Sequence, residues 1–124
     1  MPDEGGSAEL IGRCHCGRST ITLPRKPDYI NQCNCTLCMA TGWRGIYYSP
    51  DELEIDGEFD SYVRSDLKKT YLRVLRCSNC GIATHWEPLG EPPHERMGVN
   101  ARIVDPALLE GVEVREIDGR SWDE

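Results

Sequence analysis

Residues 70–88 read TYLRVLRCSNCGIATHWEP, and the fold follows from how that stretch divides. Tyr71, Arg73 and Leu75 alternate with Leu72, Val74 and Arg76, the period-two pattern of a strand with unlike faces. The strand delivers Cys77 to a tight turn, CSNCG, from which IATHWEP leaves as a second strand. Two cysteines on the turn of a hairpin make a zinc-ribbon knuckle, because a short loop aims both thiolates at one ion with little loss of chain entropy. Gly81 follows the pair, where a positive φ lets backbone N–H groups turn toward thiolate sulfurs.

The same device recurs upstream. ELIGRC and RSTITL flank CHCG, a hairpin with Cys14 and Cys16 at its tip and Gly17 behind them. A third cluster, QCNCTLC, carries Cys33, Cys35 and Cys38. WRGIYYSP is a strand stopped by Pro50, and LEIDGEFDSYV reads as two short strands about a turn at Asp56-Gly57. ERMGVNARIV and GVEVREI are further strands, while DPALLEG has room only for a short helix with Asp105 as N-cap and Pro106 at its first position. The class is mostly β with one or two short helical turns. Residues 9–117 are expected to form a single domain, with residues 1–8 and 118–124 as loose ends.

At 124 residues one modest core is available, so a metal staple would help. The formal net charge is -7, with 21 acidic against 14 basic residues, which argues against nucleic acid or an anionic membrane as the main partner. No apolar run approaches a membrane span, and MPDEGGSAEL has neither the basic start nor the apolar run of a signal peptide, so a cytoplasmic protein is expected. There the seven cysteines stay reduced, and their tight clusters favour ligands over a disulfide scaffold.

Seven divides as four plus three. The simplest division joins Cys14, Cys16, Cys77 and Cys80 in a closed site whose role is stability. The trio Cys33, Cys35 and Cys38 then holds a second ion on three protein ligands, and an open fourth position is what separates a catalytic zinc from a structural one. His15, His85 or His94 could instead complete the trio and close it.

In this order, GRCHCG, QCNCTLC, CSNCG and GVNARIVDP resemble the glutathione-dependent formaldehyde-activating enzyme family, also called the centromere protein V family, over roughly residues 10 to 110. The resemblance implies an Mss4-like (β-tent) fold in which antiparallel sheets are joined through zinc. It implies two Zn²⁺ per chain, a structural one on Cys14, Cys16, Cys77 and Cys80 and a catalytic one on Cys33, Cys35 and Cys38. The implied activity is condensation of glutathione with formaldehyde to S-hydroxymethylglutathione, a carbon–sulfur lyase reaction, with a small-molecule thiol as partner. Family sequences often carry Arg or Lys after the third cysteine of the trio and an aromatic before the late C-x-x-C; this chain has Met39 and Arg76.

For such a reaction the thiolate is the nucleophile, and a zinc ion deprotonates a bound thiol. With three thiolates already bound the site's formal charge is -1, which favours thiol capture over strong carbonyl activation. Tyr47, Tyr48 and Lys69 are conceivable proton donors, but each reads more readily as a packed or solvated side chain. The basic stretch from Arg64 to Arg76 reads either as a holder of carboxylates or as a solvated face, and Trp43 as a pocket wall or a core indole. Two other classes compete. One is a zinc-stabilised binding module without catalysis; the other is a redox sensor in which Cys33 and Cys38 form a disulfide.

Overall fold

The computed structural model describes residues 10–65, 70–89 and 96–119. The N-terminal tail, Lys69, His94 and all but two residues of the C-terminal tail lie outside the described residues. The elements are β1 (Leu10–Arg13), β2 (Thr20–Leu23), β3 (Tyr29–Cys33), α1 (Thr36–Thr41), β4 (Gly45–Tyr48), β5 (Glu54–Asp56), β6 (Phe59–Tyr62), β7 (Leu72–Cys77), β8 (Ala83–Pro88), β9 (Met97–Asn100) and β10 (Glu113–Ile117). A three-stranded sheet has the order β1-β2-β5, and a seven-stranded sheet the order β10-β3-β4-β9-β8-β7-β6.

Alternation decides which side chains meet between the sheets. β1 places Leu10 inward and β2 places Ile21 and Leu23 inward, while Ile30, Ile46, Tyr48 and Val99 face them from the larger sheet. Ile21, Leu23, Ile46 and Val99 are fully buried; each such side chain contributes roughly 1.5–3 kcal/mol. Gly12 on β1 packs closely under Ile103, whose side chain would stand 2.9 Å from a Cβ there and would have to shift.

Both expected cysteine hairpins form: β1 pairs antiparallel with β2, and β7 with β8. LEIDGEFDSYV supplies two strands, but they do not pair with each other. β5 joins β2 in the small sheet and β6 joins β7 in the large one. The crossing is made at Gly57, whose φ is 134° and which packs on Ser19; a Cβ would lie 2.7 Å from Ser19 Oγ. The larger sheet is mixed, because β10 runs parallel to β3, with Glu113 opposite Tyr29 and Ile117 opposite Cys33. DPALLEG forms a 3₁₀ turn, Pro106–Leu109, with the Asp105 carboxylate accepting from the Ala107 amide at 3.0 Å. Among the described residues no helix is long and apolar enough to cross a membrane.

Candidate metal centres

The β1–β2 and β7–β8 turns meet where the two sheets abut. Cys14, Cys16, Cys77 and Cys80 bring their Sγ atoms within 4.8 Å of one another. Cys14 and Cys16 are 3.6 Å apart, as are Cys16 and Cys77. Four sulfurs at about 2.3 Å from a tetrahedral ion would sit about 3.8 Å apart, so the group fits a metal ion and would tie one sheet to the other.

The two knuckles share one backbone plan. Gly17 has φ 82° and donates to Cys14 O at 3.1 Å, and Gly81 has φ 79° and donates to Cys77 O at 2.9 Å. The amides that reach sulfur come from elsewhere: Ser19 N to Cys14 Sγ at 3.3 Å and Asn79 N to Cys77 Sγ at 3.4 Å. The glycines therefore shape the turns, and their neighbours supply the donors. Ser19 Oγ is buried. Lying against Cys77, that hydroxyl acts with the Cys80 and Asn79 amides to pull the thiol down to about 5, which suits a ligand bound as thiolate.

The trio assembles on a helix that the sequence did not disclose. Cys33 ends β3, Cys35 is the N-cap of α1, and Cys38 lies in its first turn. Their Sγ atoms also fall within 4.8 Å of one another. Cys35 N donates to Cys33 Sγ and Cys38 N to Cys35 Sγ, each at 3.4 Å. Gly42, at φ 72°, ends the helix, and the Trp43 amide donates to Cys38 O at 3.0 Å.

Two polar groups outside the trio hold it in place. Asn100 is buried and makes three hydrogen bonds: its Nδ2 donates to Ala83 O at 2.8 Å, and its Oδ1 accepts from Arg44 N at 3.2 Å and Arg102 N at 3.1 Å. Arg102 Nε then donates to Gly42 O at 2.8 Å, fixing the end of α1. Arg64 reaches the other end, with Nη1 3.8 Å from Cys35 Sγ and Nη2 3.2 Å from Thr36 Oγ1. Burial works to raise the Cys35 thiol, but the Cys38 amide, the neighbouring thiols and the Arg64 charge hold it below the usual range. Burial and the negative charge of Cys35 and Cys33 push the Cys38 thiol far up, so the trio disfavours three free thiolates without a cation.

Among the described residues no histidine joins either group. His15 is exposed. His85 is 3% exposed, with Nδ1 2.8 Å from Thr84 Oγ1 and its ring edge-on to Phe59 at 4.9 Å. Tyr48 belongs to the core, its hydroxyl donating to Arg25 O at 2.8 Å, which removes it from the proton-donor candidates. Tyr47 is placed differently. Its hydroxyl accepts from Asn31 Nδ2 at 3.0 Å, and a Cβ on Gly45 would stand 2.6 Å from that oxygen and 3.1 Å from Trp43 Nε1. Two donors thus converge where only glycine leaves room. Burial raises the Tyr47 phenol, and Cys38 is close enough to add to the rise.

The described residues of the basic stretch do not form one surface. Arg73 pairs with Glu87 at 3.3 Å, Arg64 sits on the trio, and Arg76 turns to a cleft beside α1. Arg64 and Asn100 are the residues that the sequence reading missed in this role. Arg64 lay inside a run already marked as basic, and Asn100 inside GVNARIVDP, so position was signalled but function was not.

A family model for glutathione-dependent formaldehyde-activating enzymes matches residues 9–115. The chain belongs to that family. It is also similar to a Rhodobacter sphaeroides protein solved by crystallography as a structural-genomics target, at 26% identity and a TM-score of 0.62, over 86% of this chain and 100% of that one. No curated protein gives a significant match. Family membership gives the two thiol groups a context: each could hold a metal ion, one enclosed by four sulfurs and one by three.

Proposed function

We propose that this family member is a zinc-dependent carbon–sulfur lyase that condenses a small thiol such as glutathione with formaldehyde, or acts on a related thiol adduct. The observation that carries the reading is the division of seven thiols into a group of four and a group of three, with Arg64 on the three. Cys14, Cys16, Cys77 and Cys80 would hold a structural zinc, and Cys33, Cys35 and Cys38 a second one. When bound, that second ion supplies a position at which a substrate thiol is held as its thiolate.

Charge decides whether a fourth anion is welcome. Three thiolates around Zn²⁺ carry a formal charge of -1, and the Arg64 guanidinium brings the neighbourhood to zero. In the condensation the substrate sulfur forms a bond to the carbonyl carbon, the C=O π pair moves to oxygen, and the resulting alkoxide takes a proton. Tyr47 supports the role of donor: its oxygen already accepts from Asn31, so its own proton is free to be given, and its raised pKa keeps that proton on at neutral pH. The Trp43 indole N–H over Gly45 would steady the same oxygen.

The test is NMR exchange spectroscopy on glutathione and formaldehyde at equilibrium. Acceleration by the wild type and none by Cys35→Ser supports the reading; equal rates with both proteins, or no acceleration by either, sink it.

A further inference from the structure

The spacing of the trio permits a second chemistry. Cys35 is the N-cap of α1 and Cys38 its third residue, with the Cys38 amide donating to Cys35 Sγ at 3.4 Å. Three residues apart on a helical turn, two Cα atoms stand about 5 Å from each other, inside the roughly 4.4–6.8 Å that a disulfide spans. The two Sγ atoms already lie within 4.8 Å, so side-chain rotation with little backbone movement closes the bond. Cys33 is placed otherwise. It ends β3 opposite Ile117, and the Asn34 amide donates to Ile117 O at 3.1 Å, so its backbone belongs to the sheet and not to the helical turn.

α1 can absorb the change. Its six residues bury no side chain, and Leu37, Ala40 and Thr41 line a cleft of about 270 Å³ on its flank. Polar contacts tie it down, Arg64 to Thr36 at one end and Arg102 to Gly42 at the other. Cys33 and Cys38 are partly exposed, which gives a small oxidant access. The group of four differs. Cys16 and Cys77 meet across 61 residues of chain and join turns of different sheets, so oxidising that group breaks the junction of the fold, whereas the trio is confined to residues 33–38.

We infer that Cys35 and Cys38 are a site of reversible oxidation by hydrogen peroxide, closing to a disulfide that leaves Cys33 as the one remaining thiol of the trio and so releases its metal ion. One sulfur takes an oxygen atom from the peroxide and becomes a sulfenic acid as the first water leaves. The other sulfur then attacks it, the S–O bond breaks, and the oxygen departs as a second water. The two thiols lose two electrons and the peroxide gains them; a dithiol reverses the bond by exchange. The pair differs from the Cys33–Cys38 pair that sequence spacing suggests, because the helical turn brings Cys35 and Cys38 together. That the disulfide switches off catalysis rests on the function proposed for the trio; its formation does not.

Peptide mapping of the zinc-loaded protein tests this. After brief treatment with hydrogen peroxide, the protein is unfolded, alkylated with N-ethylmaleimide and cut with trypsin, which isolates residues 26–44, a peptide with the trio and no other cysteine. That peptide should carry one maleimide, on Cys33, in place of three, and dithiothreitol before alkylation should restore all three. A colorimetric chelator should find the zinc of the trio set free while a cooperative melting transition persists. Cys33→Ser should still close the disulfide, and Cys38→Ser should leave the peptide without one. Three maleimides after peroxide, a disulfide that persists in Cys35→Ser, sulfinic or sulfonic acid in place of the disulfide, or zinc retained by the disulfide form overturns the inference. A disulfide with zinc release, in a protein whose reduced form never accelerates glutathione–formaldehyde exchange, would overturn the proposed reaction and leave the oxidation site standing.

Discussion

Arg64 Nη1 stands 3.8 Å from Cys35 Sγ across 29 residues of chain, and so brings to the trio the cation that Met39 does not provide. α1 offers its own backbone amides to the sulfurs, but no basic residue in its last turn. The positive charge arrives instead from the loop that follows β6.

Removing it should cost thiol capture more than fold. Arg64→Ala is expected to lower the acceleration of glutathione–formaldehyde exchange about 10-fold, the scale of one hydrogen bond to a charged group, with little change in melting temperature. Met39→Arg in that background should recover part of the loss, since position 39 is exposed on the same helix. No recovery, together with a large drop in stability for Arg64→Ala, would show the guanidinium to be a structural clamp through Thr36 instead.

The two thiol groups should separate in a melting experiment. The group of four joins turns from different sheets, so its metal-binding energy is folding energy. The trio lies within one local segment, Cys33 to Cys38. Cys77→Ser is therefore expected to lower the melting temperature by on the order of 10 °C or more, and Cys35→Ser by much less while losing the metal ion proposed for the trio. Equal loss in both variants would contradict this division of roles.

Asn100 ties β8, the start of β4 and the turn at Arg102 together through one buried amide. Asn100→Ala leaves Ala83 O, Arg44 N and Arg102 N without that partner, at a cost of roughly 2–4 kcal/mol. Because Arg102 also holds Gly42 O, the end of α1 should loosen too. Urea midpoints measure the first effect. Cobalt-to-thiolate absorption of the trio in metal-substituted protein measures the second, and a stability loss with an unchanged cobalt spectrum would confine Asn100 to the core.

What the sequence revealed and what it hid follow from the range of the interactions. The C-x-C and C-x-x-C turns were legible because ligand spacing and the following glycine are local, and Gly17 and Gly81 do take positive φ. The strand Tyr29–Cys33 was not seen, since YINQC has only one fully buried side chain, Ile30, and offers little alternation. α1 has six residues and no buried side chain, so no apolar period marks it; its start is set by a sulfur acting as N-cap. The split of β5 from β6 depends on Gly57 packing against Ser19, a contact across the fold that no turn signal records. Arg64 and Arg76 could be counted as basic, but which one met a thiol and which a cleft was decided by tertiary placement.

His85 should make the domain sensitive to acid in a defined window. Thr84 Oγ1 donates to Leu75 O at 3.3 Å, so in the 2.8 Å contact with His85 the ring Nδ1–H is the donor. Burial holds its pKa down to about 4, whereas in the unfolded chain histidine titrates near 6.5. The folded pKa being the lower, the unfolded state takes up a proton first as pH falls. The contribution to stability is intact above pH ~6.5 and is lost progressively down to about 4, by at most ~3 kcal/mol. Thiolate protonation and metal release add to the acid loss in the same range, so the wild-type curve alone does not isolate the ring. The difference between wild type and His85→Leu does: urea midpoints at pH 7.0, 5.5 and 4.5 should converge as the pH drops. Parallel curves would show that the imidazole is not held neutral by its surroundings.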